Sequence, residues 1–262
     1  MQPKYDEIGI GYNITRRADP YLLSRMYSLL SPISEGRYLD LGCGTGNYTI
    51  ALQGMGLDLT GIDPSREMLA KAREKAPAAK WIEGIAERLP FEGHSFDGVL
   101  ATLTLHHWSD MAAGIAEAAR VLRPGGRFVT FTSDKEQMEG YWLCHYFPQM
   151  LQASIKVMPS LIDVTTAMEA AGLQPTIERY HVRPDLQDLF LASGKHDPSI
   201  YLKPEVRRGI STFASLGIPE EIEEGLSRLA ADIASGEVTK VIHRYESDRG
   251  EYAFVIGIAD PS

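Results

Sequence analysis

Apolar positions along the chain follow two rhythms. Arg37–Leu41, Leu57–Ile62, Lys80–Glu83, Phe96–Leu103 and Arg127–Thr132 read as short strands. Phe96–Leu103 is almost continuously apolar, as a strand buried on both faces should be. Between these runs the spacing is helical. Asn47–Gln53 follows the first strand. After the second, Pro64-Ser65 opens a helix that Ser65 can cap, with Met68, Leu69, Ala72 and Ala76 on one face and Pro77 at its end. Asp110 is placed to cap a further helix that carries Ile115, Ala118, Ala119 and Leu122 inward, and Pro124-Gly125-Gly126 stops it. Strand alternating with helix predicts an α/β fold, a doubly wound, mostly parallel sheet covered on both faces.

Beyond Thr132 the alternation breaks. Residues 134–159 are rich in aromatics and methionine, Ser160–Ala171 reads as a helix closed by Gly172, and Leu173–Val182 reads as a sixth strand. About sixty-five residues then precede the last strand signal, Glu251–Ile258. A structureless loop of that length is implausible in a compact domain. The stretch contains one amphipathic helix, Pro219–Ile233, with Ile222, Leu226, Leu229 and Ile233 on one stripe. The expectation is a single domain of seven strands. Its core takes in residues 31–133, 160–185 and 248–260, and helical cap elements come from 1–30, 134–159 and 186–247.

Composition narrows the setting. Of 262 residues, 44% are hydrophobic and 23% charged, the balance of an ordinary globular protein. A formal net charge of -9 and the lack of any long Lys/Arg cluster argue against nucleic acid as a partner. No apolar run approaches the roughly 20 residues of a membrane span, and no signal segment opens the chain, so a soluble cytoplasmic protein is expected. Cys43 and Cys144 are too few for a disulfide framework or a four-ligand zinc site, and both read as reduced core thiols.

The most informative segment is Tyr38-Leu39-Asp40-Leu41-Gly42-Cys43-Gly44-Thr45-Gly46-Asn47. Glycines at alternate positions after a strand let the backbone turn sharply and let a ligand lie against bare peptide. A dinucleotide fingerprint would need glycine where Asn47 stands, which disfavours a nicotinamide oxidoreductase. Asp40, just before the loop, would repel a pyrophosphate but tolerate a cationic ligand without phosphate. Gly61-Ile62-Asp63 ends the second strand in a carboxylate, and Gly84-Ile85-Ala86-Glu87-Arg88-Leu89-Pro90-Phe91 follows the third. Phe96-Asp97-Gly98-Val99-Leu100 and Ala119-Arg120-Val121-Leu122-Arg123-Pro124-Gly125-Gly126 complete the series.

These segments, in this order, resemble the motifs of class I S-adenosylmethionine-dependent methyltransferases, in the small-molecule, quinone-biosynthesis-like branch. The resemblance runs from about Tyr5 to Ile258. It implies a Rossmann-like methyltransferase fold whose last strand is antiparallel, S-adenosylmethionine as cofactor, a small-molecule substrate and no resident metal. By analogy, Asp40, Gly42, Cys43 and Gly44 cradle the methionine part, and Asp63, with Pro64 and Met68 after it, takes the ribose. Ala86 and Glu87 lie beside the adenine, with Ile85 standing where the family commonly has Asp, and Thr102 lies at the end of the fourth strand. The leading segment Tyr5-Asp6-(x5)-Gly11-Tyr12-(x3)-Arg16-Arg17-Ala18-Asp19-Pro20 resembles one that closes over the cofactor, with Tyr12 and Arg16 in contact. Arg16 would suit the methionine carboxylate through its planar fork. A solvated arginine pair at a helix start is the bland alternative.

Methyl transfer from an activated donor mainly requires alignment, with a base only if the acceptor must lose a proton. His106 and His107, just past the fourth strand, stand where ligands bind in open α/β sheets and titrate in the right range. They are candidate bases, or else packing residues of a loop. Zinc is ruled out there for lack of further ligands at suitable spacing. Trp142, His145, Tyr146, Phe147 and Met150 could wall an acceptor pocket, although core packing accounts for most of them equally well. A cofactor-binding sensor or scaffold without transfer activity is the competing reading.

Overall fold

The computed structural model describes residues 15–261. Seven strands form one sheet: β1 (Arg37–Leu41), β2 (Asp58–Asp63), β3 (Lys80–Glu83), β4 (Phe96–Thr102), β5 (Leu122–Thr132), β6 (Leu173–Tyr180) and β7 (Tyr252–Ala259). Their spatial order is β3-β2-β1-β4-β5-β7-β6. The first five run parallel, and β7 lies antiparallel between β5 and β6. The expected seven-stranded, mostly parallel α/β sheet with an antiparallel last strand is the one observed.

Alternate side chains of the strands enter two apolar layers, as period-two geometry requires. Leu100, Val129, Phe131, Phe254 and Ile256 point to one layer, which also holds helices α1 (Pro20–Leu30) and α2 (Asn47–Gly54). Leu39, Leu41, Val99, Ala101, Phe128 and Val255 point to the other, filled by α4 (Met111–Val121) and α7 (Leu161–Ala170). Each fully buried Leu or Phe contributes roughly 1.5–3 kcal/mol. Ser65 caps α3 (Arg66–Lys75), Asp110 caps α4 and Ser160 caps α7, each with its side-chain oxygen on a backbone amide.

Some boundaries differ from the expectation. α4 stops at Val121, and Leu122, expected as its last inward residue, already belongs to β5. The residue before a proline avoids helical angles, so the helix must end ahead of Pro124. Pro124-Gly125-Gly126 instead forms an irregularity inside the strand: Phe96 pairs with Leu122, and the register resumes at Gly98 with Arg127. β4 ends at Thr102 because Leu103 turns into the left-handed region (φ 52°). β6 ends at Tyr180, two residues short of the expected Val182.

The appendages are helical. Residues 134–159 form α5 (Lys135–Glu139), a short 3-10 turn at Trp142–His145 and α6 (Pro148–Val157). Residues 186–247 form two 3-10 turns and then α8 (Pro204–Gly209), α9 (Ser211–Leu216), α10 (Pro219–Ser235) and α11 (Glu237–Arg244). Trp142, Tyr146, Phe147 and Met150 are buried in the layer shared with the sheet, so they pack as core, and His145 is half-buried. In the N-terminal segment, α1 buries Leu22, Met26, Leu29 and Leu30 and lies against β4 and β5. It covers the sheet face, and of the described N-terminal residues Arg16 lines the cavity. No helix among the described residues is long and apolar enough to cross a membrane.

Candidate functional site

The glycine loop leaves β1 at Leu41 and enters α2 at Asn47. Gly42 and Gly44 hold φ of 69° and 55°, angles that a side chain would strain. Gly42 is also closed sterically, since a Cβ there would meet Thr104 Oγ1 at 2.1 Å. At Gly44 a Cβ would meet nothing within 4 Å, so this peptide faces open space. The loop is strapped to the end of β2, with the amides of Gly42 and Cys43 donating to the Ile62 carbonyl at 2.8 and 3.1 Å. On its outer side, Lys75 donates to the Thr45 carbonyl, the Thr45 hydroxyl and Asn47 Oδ1. The Trp81 indole fills the space beside Gly46 and Gly61.

A cavity of about 60 Å³ opens against this loop, lined by Arg16, Asp40, Gly42, Cys43, Gly44, Thr45, Asn47, Tyr48, Thr102 and Asp188. At that size it holds a few small groups, so a larger ligand would extend beyond it. Asp40 is buried at the end of β1. One carboxylate oxygen accepts from the Thr49 hydroxyl at 2.6 Å, and the other, Oδ1, is buried with no hydrogen-bond partner among the described residues. Burial pushes the Asp40 carboxyl up to about 7, and the neighbouring Asp63 carboxylate adds to the rise, against the opposing Thr49 bond. Burial, followed by the Asp40 and Asp63 charges, also drives the Cys43 thiol well above its ordinary range, so it is inert as a nucleophile.

Across the cavity, Arg16 Nε donates to Asp188 Oδ1 at 2.5 Å and Nη2 to Oδ2 at 3.2 Å. The Tyr48 hydroxyl donates to the same Oδ2 at 3.2 Å. Burial, and then the Asp188 charge, raise the Tyr48 hydroxyl well above its usual range, so it remains a donor. Further bonds join the two segments. The Gln187 amide donates to Asp19 Oδ2, the Leu189 amide to the Thr15 carbonyl, and Asn47 Nδ2 to the Arg16 carbonyl. Residues 15–19 and 187–189 thus form a clasp beside the glycine loop.

The structure brings Arg16, Asp40, Gly42, Cys43, Gly44 and Thr102 together around this cavity. Asp63 stands next to it and holds the loop. Its Oδ2 accepts from the Gly44 amide and its Oδ1 from the Ser65 amide, both at 2.8 Å. Pro64 is exposed, while Met68 and Ala86 are buried in the apolar layers. Glu87 is engaged by the protein itself. Its Oε1 accepts from the Ser109 amide and hydroxyl and from the Asp110 amide, and these bonds hold its carboxyl below the usual range against the effect of burial. Loop amides ahead of α4 lack partners of their own, and a carboxylate satisfies them. Ile85 is 47% exposed on the same loop.

His106 and His107 lie on a 3-10 turn with ring centroids 3.9 Å apart. Neither lines the cavity; His106 is half-buried and His107 exposed. Tyr12 lies outside the described residues. Among residues not singled out in the sequence, Tyr48 follows the glycine loop directly, and Thr49, in the first turn of α2, reaches back to Asp40. Asp188 had no signal, being an isolated acid within a long insertion.

Several known proteins are similar to this chain. The model of a methyltransferase domain matches residues 39–130. An uncharacterized methyltransferase of Mycobacterium tuberculosis is 41% identical over 112 residues, covering 43% of this chain and 46% of the relative. The chain thus spans about half the length of these mycobacterial relatives. A demethylmenaquinone methyltransferase of Bacillus cytotoxicus is 31% identical over 173 residues, covering 56% of this chain and 71% of the relative. The crystal structure of a candidate methyltransferase from an antibiotic biosynthesis pathway of Anabaena variabilis superposes with a TM-score of 0.83 and 32% identity, over 93% of this chain and 98% of that one. Matched to that structure at 32% identity over nearly the whole length of both chains, the chain belongs to the class I methyltransferase family.

Proposed function

We propose that this methyltransferase takes S-adenosylmethionine as its donor and methylates a small organic acceptor. The observation that carries the reading is the buried, unpartnered Oδ1 of Asp40 in a cavity whose floor is the bare peptide of Gly42–Gly44. A buried carboxylate oxygen without a partner is costly unless a ligand compensates it. Asp40 and the Arg16–Asp188 ion pair line the same cavity, a set matched to a ligand that carries positive charge together with a carboxylate. An anionic phosphate ligand would be repelled.

When bound, the sulfonium supplies the activated methyl group. Asp40 would stabilise positive charge nearby, Arg16 would receive the carboxylate, and the loop backbone would approach the ligand closely. Asp63, at the end of β2 beside the cavity, would accept from hydroxyls of the nucleoside with its remaining lone pairs. A small acceptor is supported by the clasp over the ligand edge and by the acidic balance of the chain, with a formal net charge of -9.

Calorimetry with S-adenosylmethionine, S-adenosylhomocysteine and NADH tests the donor. Binding of the first two and not of NADH is expected, and preference for NADH would overturn the reading. One observation favours a binder without transfer activity: neither His106 nor His107 lines the cavity. Methylated product from a panel of small phenols, amines and thiols separates the two, since a binder yields none.

A further inference from the structure

Among the described residues, the only basic side chain lining the cavity is Arg16, and its guanidinium is forked onto Asp188. The side chain of Asp188 is 2% exposed and that of Arg16 14%. Asp188 comes from the 186–247 insertion, far from the glycine loop in sequence. Long arginine side chains sample many rotamers, and a planar fork clamped by one carboxylate loses that freedom before any ligand arrives. Asp188 occupies the Nε edge of the guanidinium and so fixes its orientation. Tyr48, on the helix that follows the glycine loop, holds Asp188 from the other side. The insertion, the N-terminal segment and the glycine loop therefore share one set of hydrogen bonds.

We infer that Asp188 is a positioning residue for the donor: through its fork it sets Arg16 over the glycine loop to receive the donor's carboxylate, so that the insertion completes the donor site. This inference rests on the proposed use of S-adenosylmethionine. It goes further in assigning recognition of the amino-acid end to a residue outside the motif-bearing half of the chain. A charge-assisted bond of this kind is worth a tenfold or larger change in affinity when its geometry is lost.

The test compares two ligands that differ in the amino-acid end alone. S-adenosylhomocysteine carries it, and 5′-methylthioadenosine lacks it. Calorimetric titration of wild type, Asp188→Asn, Arg16→Gln and the double variant, each confirmed folded by thermal unfolding, gives the answer. Asp188→Asn should weaken S-adenosylhomocysteine by about tenfold or more and change 5′-methylthioadenosine by less than about twofold. The double variant should bind no worse than Arg16→Gln, because the two act as one unit. Equal loss of both ligands would make Asp188 a purely structural residue and overturn the inference, as would unchanged binding of both. Additive losses in the double variant would overturn it too, by showing that Asp188 acts without Arg16. If the wild type bound neither ligand, the donor assignment itself would fall, an outcome distinct from all the others.

Discussion

Asp40 concentrates the chemistry of the site in one side chain. Its folded-state pKa is about 7 against an ordinary 3.8. Below about pH 4 it is protonated both folded and unfolded and costs nothing. Between about 4 and 7 the folded state retains a proton that the unfolded chain has released, so this residue's contribution to stability declines as pH rises and levels off above 7. The full penalty is on the order of 4 kcal/mol. A cationic ligand favours the ionised form. Donor affinity should therefore rise with pH through about 7, and binding near pH 6 should release close to one proton. Calorimetry in buffers of different ionisation enthalpy measures that proton. Asp40→Asn should remove both the proton release and the pH dependence of binding, and should flatten the decline of thermal stability between pH 4 and 7. Proton release that survives in Asp40→Asn would place the titrating group elsewhere. Asp40 and the glycines were legible in the sequence because short-range geometry sets their roles. Asp188 and the engagement of Glu87 were not, because both depend on which distant segment arrives opposite them.

At the scale of elements, the strands and helices of the first half were readable from periodicity, since parallel strands are apolar throughout and their helices carry local caps. The appendages were less so, because their helices are held by partners remote in the chain. α6 illustrates the point. No N-cap side chain precedes it, and its first amides are satisfied by Glu221 of α10, whose two oxygens accept from Gln149 at 2.6 Å and Met150 at 2.9 Å. A carboxylate at a helix N-terminus is favoured by the helix dipole as well as by its bonds. Beside it, Gly225 of α10 is pressed against Phe147 and leaves no room for a Cβ, which would lie 2.4 Å from the ring. Glu221→Ala should cost on the order of 2–4 kcal/mol, read as a lower urea midpoint with unchanged slope, because two nearly buried amides lose a charged acceptor. A change below about 0.5 kcal/mol would mean that the packing of α10 on Phe147 holds the two helices together without it.

For the whole molecule, the clasp makes donor access a matter of moving segments. Residues 15–19, residues 187–189 and the glycine loop border the cavity and are joined by bonds through Asp19, Asn47, Tyr48 and Asp188, so we expect them to respond together when a donor enters. Hydrogen exchange with and without S-adenosylhomocysteine should show protection rising together in residues 15–19, 42–46 and 187–189. A response confined to residues 42–46 would separate the clasp from ligand entry and reduce it to a static brace.

The position of β7 has a consequence for how the chain is made. β6 pairs with β7 alone, and β7 emerges about seventy residues after β6 is complete. At about 5–20 residues per second, synthesis leaves both edges of β6 and the outer edge of β5 open for several seconds. Unpaired edges are templates for pairing with another chain. β6 carries Gln174, Pro175, Glu178 and Arg179 among its eight residues, and such proline and charge discourage that pairing while the strand waits. Replacing Pro175, Glu178 and Arg179 with valine or threonine should therefore lower soluble yield during synthesis far more than it lowers the stability of protein already folded, and pulse-labelling of newly made chains set against urea denaturation of the purified variant distinguishes the two.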